Sequence, residues 1–435
     1  MKYCARCLYP ANARPTIIFD DQGICSGCRH HDAREGIDWV EREQWLRDLL
    51  AEYKAKSHAT GSAYDCIVPV SGGKDSYYLL HLVKTVYGLN PLCVTFNHIF
   101  NTSLGVRNLA NMVEQFGVDL IRFTASPESV RKVASYMVRK VGDLTWHYHA
   151  GIMTVPFQVA VNYRIPLIVW PEHYGELTGI FTLHDMVEFT KWVRQEHDMR
   201  GLEPEDVVND PASGITMRDL TPYQYPSDEQ IADVGVRGIY ITNFLDWDEK
   251  AHGELVMRKY NFRPLTERRD RTFKLFAKSD DHANAVHDYM KYLKFGYGRA
   301  TDDASMEIRY GRMTREEGIE MVRQYDHVRP RSLDSYLTFL NMSEAEFIAA
   351  VDPMRDASIW TQVPDGEWRP NDSVVNHVQD EGIEQARVPQ SADRTLSIAN
   401  RQLYYQEAHP PLPWPEERHS RADLARAATD EFITL

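Results

Sequence analysis

No stretch of the chain restricts its fold more than residues 64–87. An apolar run, Cys66, Ile67, Val68, Pro69 and Val70, leads into Ser71-Gly72-Gly73-Lys74-Asp75-Ser76 and then into a helical pattern. This spells a strand, a tight turn and a helix start. Two adjacent glycines let the backbone approach a ligand with no Cβ in the way, and a helix beginning near Ser76 turns free N–H groups and its positive dipole end to the same spot. Lys74 adds a point charge suited to phosphate oxygens, and the Ser71 and Ser76 hydroxyls can donate to them. The turn reads as a pyrophosphate grip. A glycine turn serving only close packing is the plainer alternative, and it leaves Gly-Gly-Lys-Asp between two serines unexplained. A Walker loop is excluded, because its Gly-x-x-x-x-Gly-Lys-Ser/Thr spacing is absent from this turn.

The 435 residues are enough for two or three domains with a substantial core. A formal net charge of -14 argues against a broad nucleic-acid footprint or attraction to an anionic membrane. No long apolar run and no amino-terminal apolar h-region are present, so a cytoplasmic location is the default expectation. Four of the six cysteines form two pairs, Cys4-x-x-Cys7 and Cys25-x-x-Cys28, with seventeen residues between the pairs. That spacing matches a zinc ribbon, in which each knuckle offers two thiolates and the two together complete a tetrahedron. Four unrelated thiols or two disulfides are the alternatives, and neither suits a cytosolic chain with prolines and glycines placed as knuckle turns. A closed four-thiolate site leaves no position for water, so the expected zinc is structural.

Residues 1–35 are therefore read as the ribbon and residues 36–63 as a helix and linker. Asp38 and Glu41 stand at capping-box spacing before a stripe of Trp45, Leu46, Leu49, Leu50 and Tyr53. Residues 64–245 read as an α/β domain. Further strands are expected at 91–97, 118–123, 166–170 and 236–242, with helices at 103–116, 127–141 and 152–163. Ligands of such parallel sheets lie beyond the carboxyl ends of the strands. This gathers the Ser71 loop, Asn97, His98 and Pro171-Glu172-His173 around one pocket. Glu172 and His173 are candidates for substrate handling or ammonia positioning, and each is equally explicable as an ordinary loop residue. Asp75 either orients the loop backbone or helps hold Mg2+ through water. Residues 174–233, with one helical piece at 183–194, are too long for a plain connection and read as a lid or insertion.

Residues 246–369 read as a mainly helical substrate-binding region. Within residues 258–274, Arg258, Lys259, Arg263, Arg268, Arg269, Arg271 and Lys274 face only two acids, a cluster suited to a diphosphate or carboxylate ligand or else to a solvated face. Lys294-Phe295-Gly296-Tyr297-Gly298-Arg299 and the residues to Asp303 suggest a loop closing over phosphate or sugar. Thr314 with Glu317, and Ser343 with Glu346, mark capping boxes opening two helices. The polar, proline-bearing tail, residues 370–435, is read as an extension that wraps the body or a partner or is loosely ordered.

The serine-glycine-glycine loop after a strand resembles the PP-loop ATP pyrophosphatases. The paired cysteines, the loop from Ser71 to Ser76, Pro171-Glu172-His173-Tyr174 and the run from Lys294 to Met313-Thr314-Arg315-Glu316-Glu317 together resemble the N-acetyl sugar amidotransferases of surface-polysaccharide and nonulosonic acid (pseudaminic and legionaminic acid) biosynthesis. The resemblance covers most of residues 1–350. Two departures stand out: Pro171 occupies a position where that family commonly has glycine, and the tail past Pro370 has no counterpart. The implied fold is an adenine nucleotide alpha hydrolase-like parallel sheet with helices on both faces. The implied reaction uses ATP and Mg2+ to convert an acetamido group of a nucleotide-linked sugar, as in lipopolysaccharide O-antigen synthesis, into an acetamidino group. Ser71, Gly72, Gly73, Lys74, Asp75, Ser76 and Asn97 would contact ATP, and Lys74, Asp75, Glu172 and His173 would act in catalysis. Arg268, Arg269, Arg271, Lys294 and Arg299 would hold the substrate anion.

A glutaminase needs an activated cysteine beside a histidine. Cys66 and Cys93 lie inside strands and residue 2 is Lys, so a separate glutaminase is expected, and the resemblance suggests HisH-like and HisF-like partners as in imidazole glycerol phosphate synthase. Two other readings compete. A tRNA thiolase of the PP-loop type would need further active-site cysteines and a basic face, and a zinc-ribbon scaffold with a degenerate nucleotide site would not need an intact Ser71 loop.

Overall fold

A computed structural model describes residues 1–173, 175–266 and 270–378. Tyr174, Arg268, Arg269 and the tail beyond residue 378 lie outside these, as does the proline run of residues 410–415. Five parallel strands form the central sheet: β1 (Cys66–Pro69), β2 (Pro91–Asn97), β3 (Asp119–Thr124), β4 (Leu167–Trp170) and β5 (Arg237–Tyr240). Their order is β3-β2-β1-β4-β5, with Ile67 opposite Ile168 and Ile67 opposite Leu92. The chain winds outward from β1 to β3, returns to β4 on the other side, and so reverses between β1 and β4.

Alternating side chains divide the sheet into two apolar faces. Leu92, Val94, Phe96 and Trp170 point to one core, while Cys66, Val68, Cys93, Leu167 and Val169 point to the other. The second face is covered by α1 (Trp39–Ala59), α2 (Lys74–Leu80) and α3 (Ser103–Phe116), and the first by α4 (Pro127–Val141) and α5 (Trp146–Tyr163). Asp38 caps α1 by accepting from the Val40 and Glu41 amides. Trp45 leaves the expected stripe and stays 46% exposed. The Thr102 hydroxyl caps α3, which ends with Gly117 in the left-handed region, φ 55°. α5 begins a turn and a half before the expected position and runs through Pro156.

Residues 183–194 do not form the expected helix. Only Lys191–Val193 is α-helical, followed by a π turn, Arg194–Asp198. The apolar spacing there serves other contacts: the Phe189 amide donates to the Gly238 carbonyl and covers the edge of β5, and the buried Arg194 guanidinium pairs with Glu203 and the Tyr223 carbonyl.

Past the sheet, α6 (Glu249–Tyr260) packs on the second face beside α2, and α7 (Ala283–Phe295), α10 (Leu333–Leu340) and α11 (Glu344–Val351) extend the first core. Between them lie α8 (Arg299–Arg309) and α9 (Arg315–Tyr325). Two of the three expected capping boxes form in full, Thr314 with Glu317 and Ser343 with Glu346, while at α1 Asp38 caps without the reciprocal box. The loop expected from Lys294 to Asp303 does not. Lys294 and Phe295 end α7, Gly296 closes it at φ 74°, and α8 starts at Arg299. Gly298 is needed for packing: its N–H donates to Asp326, and a Cβ there would stand 2.8 Å from an Asp326 oxygen.

The cysteine knuckles are not a free-standing module. Cys4, Cys7, Leu8, Tyr9 and Ile24 share one apolar cluster with Tyr297, Ala304, Ile308 and Ile319 of α8, α9 and their approaches. The Tyr9 hydroxyl donates to Asp302 at 2.8 Å, and the Leu8 amide to the Ser305 hydroxyl at 3.3 Å.

Candidate active site

The turn after β1 is built by backbone necessity. Gly72 has φ 88°, and a Cβ on it would lie 2.9 Å from the Leu109 amide nitrogen and 3.0 Å from the Gly105 carbonyl. Within the loop, the Ser71 amide donates to the Ser76 hydroxyl at 3.0 Å, and the Gly73 amide to the Ser71 hydroxyl at 3.2 Å. α2 begins at Lys74, two residues earlier than expected, and no side chain caps it. Its first amides are thus left for a ligand. It continues into a π turn, His81–Val86, before β2.

A cavity of about 510 Å³ opens at the reversal between β1 and β4. Ser71, Gly73, Lys74, Asp75, Ser76, Asn97, His98, Glu172 and His173, all marked from sequence, line it together. Asn97 is held in place, its amide donating to Thr124 at 3.1 Å and its oxygen accepting from Ile99 and Asn101. His173 lies edge-on to Phe181 and Tyr240, and burial together with nearby His30 lowers its pKa to about 4. It is a neutral imidazole at pH 7.

The opposite wall comes from the carboxyl-terminal region, where Lys274, Asp303 and Glu307 are buried and Glu249 and Arg312 are half-buried. Lys74 Nζ is 2.7 Å from Asp75 and 3.1 Å from Glu249 at the start of α6. Glu249 also pairs with Lys274, which reaches Glu307 at 3.2 Å, and Glu307 accepts from Arg312 at 2.8 Å. Burial would lower the pKa of Lys74, but Asp75, Glu249 and Glu172 outweigh it and hold the pKa above its ordinary value. Glu172 is itself exposed to the open cavity, yet the protein packed around it, with Asp75 and Glu176, pushes its pKa up to about 8 despite Lys74. Asp303 is raised to about 6, chiefly by burial, whereas Lys274 and Arg312 overcome burial and bring Glu307 down to about 2.

Three of the expected anion-binding residues are placed differently. Arg271 is 2% exposed, donates to the carbonyls of Tyr325, Val328 and Asp288, and does not line the cavity. Lys294 donates to the Gly142 carbonyl at 2.7 Å and is also away from it. Arg299 does line the cavity, but Asp288 holds its guanidinium through two bonds of 3.0 Å. Arg268 and Arg269 are outside the described residues. Arg271, Lys294 and Arg299 are held structurally, because helix packing supplied them with carbonyl and carboxylate partners. Glu249, Lys274, Lys278, Asp303, Glu307 and Arg312 take their place on the wall. Of these, Lys274 stood out in sequence within the cation cluster, and Asp303 only as the end of the expected loop. The four-residue step from Asp303 to Glu307 was a further signal, legible once that stretch is a helix.

In the knuckles, the four Sγ atoms of Cys4, Cys7, Cys25 and Cys28 lie within 4.8 Å of one another and all four residues are buried. Zn–S bonds of ~2.3 Å in a tetrahedron put sulfurs about 3.8 Å apart. Cys4 to Cys28 is 4.0 Å and Cys7 to Cys25 is 3.6 Å. Backbone amides of Arg6 and Cys25 point at the Cys4 sulfur, and that of Cys28 at the Cys25 sulfur. The donor set therefore fits a tetrathiolate zinc. Cys66 and Cys93 are buried in the sheet, their thiols pushed up by burial, and neither lines the cavity.

Comparison with known proteins bears on this second wall. Residues 242–371 match the family described as "LPS biosynthesis protein WbpG-like, C-terminal domain". The uncharacterized protein MJ1599 of Methanocaldococcus jannaschii is 27% identical over 118 residues, 27% of this chain and 41% of that protein, so the chain spans under half of that relative's length. Among solved structures, NMN synthetase from Francisella tularensis is similar at 14% identity and TM-score 0.26, covering 46% of this chain and 93% of the other. The NH3-dependent NAD synthetase from Campylobacter jejuni is similar at 11% identity and TM-score 0.25, covering 46% and 92%. NAD+ synthetase from Burkholderia pseudomallei is similar at 15% identity and TM-score 0.25, covering 54% and 94%. The fold assignment rests on strand order and loop sequence. No helix among the described residues is long and apolar enough to cross a membrane. The chain is a PP-loop-type α/β protein by its strand order and its loop of residues 71–76, and its residues 242–371 are similar to the WbpG-like C-terminal domains.

Proposed function

We propose that this chain is an ATP-dependent amidotransferase of lipopolysaccharide or related surface-glycan synthesis, converting an acetamido group on a nucleotide-linked sugar into an acetamidino group. The observation that carries the reading is one cavity with two walls: the loop of residues 71–76 on one side and charged residues of the WbpG-like region on the other. The chemistry needs both. An amide carbon resists ammonia because its oxygen is a poor leaving group. Attack of the acetamido oxygen on the α phosphorus of ATP forms a P–O bond and releases pyrophosphate, giving an O-adenylyl imidate. Ammonia then bonds to the imidate carbon, AMP leaves with the former amide oxygen, and the extra proton goes to solvent or a nearby base.

The free amides at the start of α2, the Ser71 and Ser76 hydroxyls and Lys74 would hold the outer two phosphates and stabilise the charge growing on the leaving pyrophosphate. To do so, Lys74 must exchange part of its present pairing with Asp75 and Glu249 for phosphate oxygens. Asp75 and Glu172 both line the cavity and suit Mg2+, since two carboxylates beside the phosphates could hold a divalent cation directly or through water. When bound, the ion would supply charge neutralisation at the phosphates. His173, neutral and buried near Glu172, suits ammonia placement better than phosphate binding.

The test is incubation of purified chain with ATP, Mg2+ and nucleotide-linked acetamido sugars, with ammonium or glutamine as nitrogen source. AMP, pyrophosphate and a sugar with oxygen replaced by NH are expected with ammonium alone, since neither Cys66 nor Cys93 is accessible for a glutaminase reaction. ADP and orthophosphate would refute the adenylation, and turnover with glutamine alone would refute the separate HisH-like partner. A PP-loop tRNA thiolase would instead release AMP on adding tRNA, and the absence of a cavity-lining cysteine weighs against it.

A further inference from the structure

One side chain outside the cavity touches both cysteine knuckles and the cavity wall. Arg309, in the last turn of α8, places Nη2 at 3.9 Å from the Cys7 sulfur and 3.8 Å from the Cys25 sulfur. Its Nη1 donates to the Glu176 carbonyl at 3.5 Å and to the Met306 sulfur at 3.3 Å, and the guanidinium lies over the Tyr9 ring. Glu176, Leu177, Asp303, Met306 and Glu307 all line the cavity. The segment after β4 is also fastened to the second knuckle without Arg309. The Ser26 hydroxyl donates to the Thr178 carbonyl, and His30 Nδ1 lies 2.9 Å from the Phe181 carbonyl. No space is left between them: a Cβ on Gly27 would stand 2.6 Å from the Leu177 carbonyl, and one on Gly179, φ 67°, would stand 2.9 Å from the Gly27 nitrogen.

The electrostatics give this contact a direction. Four thiolates on a divalent cation leave an excess negative charge in surroundings that exclude water, and such a charge is costly unless a cation or N–H donor offsets it. The Arg309 guanidinium is the buried cation within reach of sulfurs from both knuckles. Protonated thiols without metal would draw it far less.

We propose that Arg309 is a positioning residue through which a metal at Cys4, Cys7, Cys25 and Cys28 fixes the segment of residues 175–179 and the cavity face of α8. Metal loading then completes the catalytic wall as well as the amino-terminal fold. This rests on metal binding by the four cysteines and is independent of the acceptor and of the reaction.

Hydrogen–deuterium exchange on the full chain tests it, with zinc content measured in parallel. The Gly179 amide donates to the Gly175 carbonyl and that of Glu176 to the His173 carbonyl, so loosening would be visible there. In Arg309→Gln, zinc should pass to a chelator about ten-fold faster than in the unmodified protein. Residues 175–179 should exchange about ten-fold faster with zinc still bound, while β1 keeps its rates. Arg309→Lys keeps a charge near the sulfurs but not both donors, so it should recover zinc retention and not the protection of residues 175–179. Stripping zinc from the unmodified protein should expose residues 175–179 and 303–309 together. Unchanged exchange in zinc-loaded Arg309→Gln, unchanged exchange on stripping, or a uniform rise that includes β1 would each overturn the proposal. If Arg309→Gln fails to fold, Arg309→Lys decides: with zinc retained it must raise exchange at residues 175–179, whereas unaltered protection there overturns the proposal.

Discussion

Lys74 and Glu172 share one cavity and both have raised pKa values: three carboxylates keep the lysine charged, while the protein packed around Glu172 and the like charges of Asp75 and Glu176 favour its protonated form. For Glu172 the consequence is a falling stability with rising pH. Its carboxyl keeps its proton in the native protein to about 8, whereas in the unfolded chain it ionises near ~4.3. Between these values the native state binds more protons, so each rise in pH favours unfolding. Glu172→Gln should remove this decline. Because Glu172 is exposed to the cavity, solvent screening keeps the effect small: melting temperatures at pH 5 and pH 8 should show the variant gaining on the unmodified protein by about a degree at the higher pH, and parallel curves would mean that no proton is held there. Lys74→Ala should lower AMP formation about 10²–10³-fold through loss of a phosphate-directed charge. It should also lower the melting temperature, since Asp75 is then left facing Glu249. A stable, fully active variant would remove Lys74 from the site. The motif from Ser71 to Ser76 announced these residues because glycine, lysine and serine there do backbone and charge work that is local. Arg271 and Lys294 were misread for the opposite reason: a cation in a sequence has no visible partner, and theirs are carbonyls contributed from residues far along the chain.

At the level of elements, sequence periodicity was reliable wherever a cap or an uninterrupted apolar run fixed the ends. β2, α3 and α4 begin and end at the expected residues, and Gly117 and Gly142 close the two helices in left-handed conformations. Where an element is shaped by what it packs against, the pattern misled. The segment at 183–194 has helical spacing, but its backbone covers β5, and the glycines at 296 and 298 join two helices where a ligand loop was expected. α9 gives a quantitative check, because its capping box is complete and it packs on the cysteine knuckles. Thr314→Ala should cost about 1 kcal/mol by leaving the Glu317 amide without its acceptor, measured by denaturant titration. A neutral result would mean that the Ile319 and Val322 contacts alone hold the helix start.

For the whole molecule, the knuckles, the sheet and the helical region share walls. Cys25→Ala should therefore remove zinc and loosen more than residues 1–35: limited proteolysis should open α8 and α9 as well, because Leu8, Tyr9 and Ile24 pack against them. Full zinc content with an unchanged digestion pattern would refute the four-cysteine centre. By itself the sequence determined the strand, turn and helix around residues 71–76, the alternation that makes a parallel sheet, and a set of four clustered cysteines, since each depends on spacing within a few residues or on a repeated short pattern. Only the tertiary structure decided that α6 and α8 supply the second wall of the cavity and that Arg309 joins it to the cysteines. Those contacts link residues as far as 302 positions apart. Such pairings arise from which buried charges find partners when helices pack, and no local pattern encodes that choice.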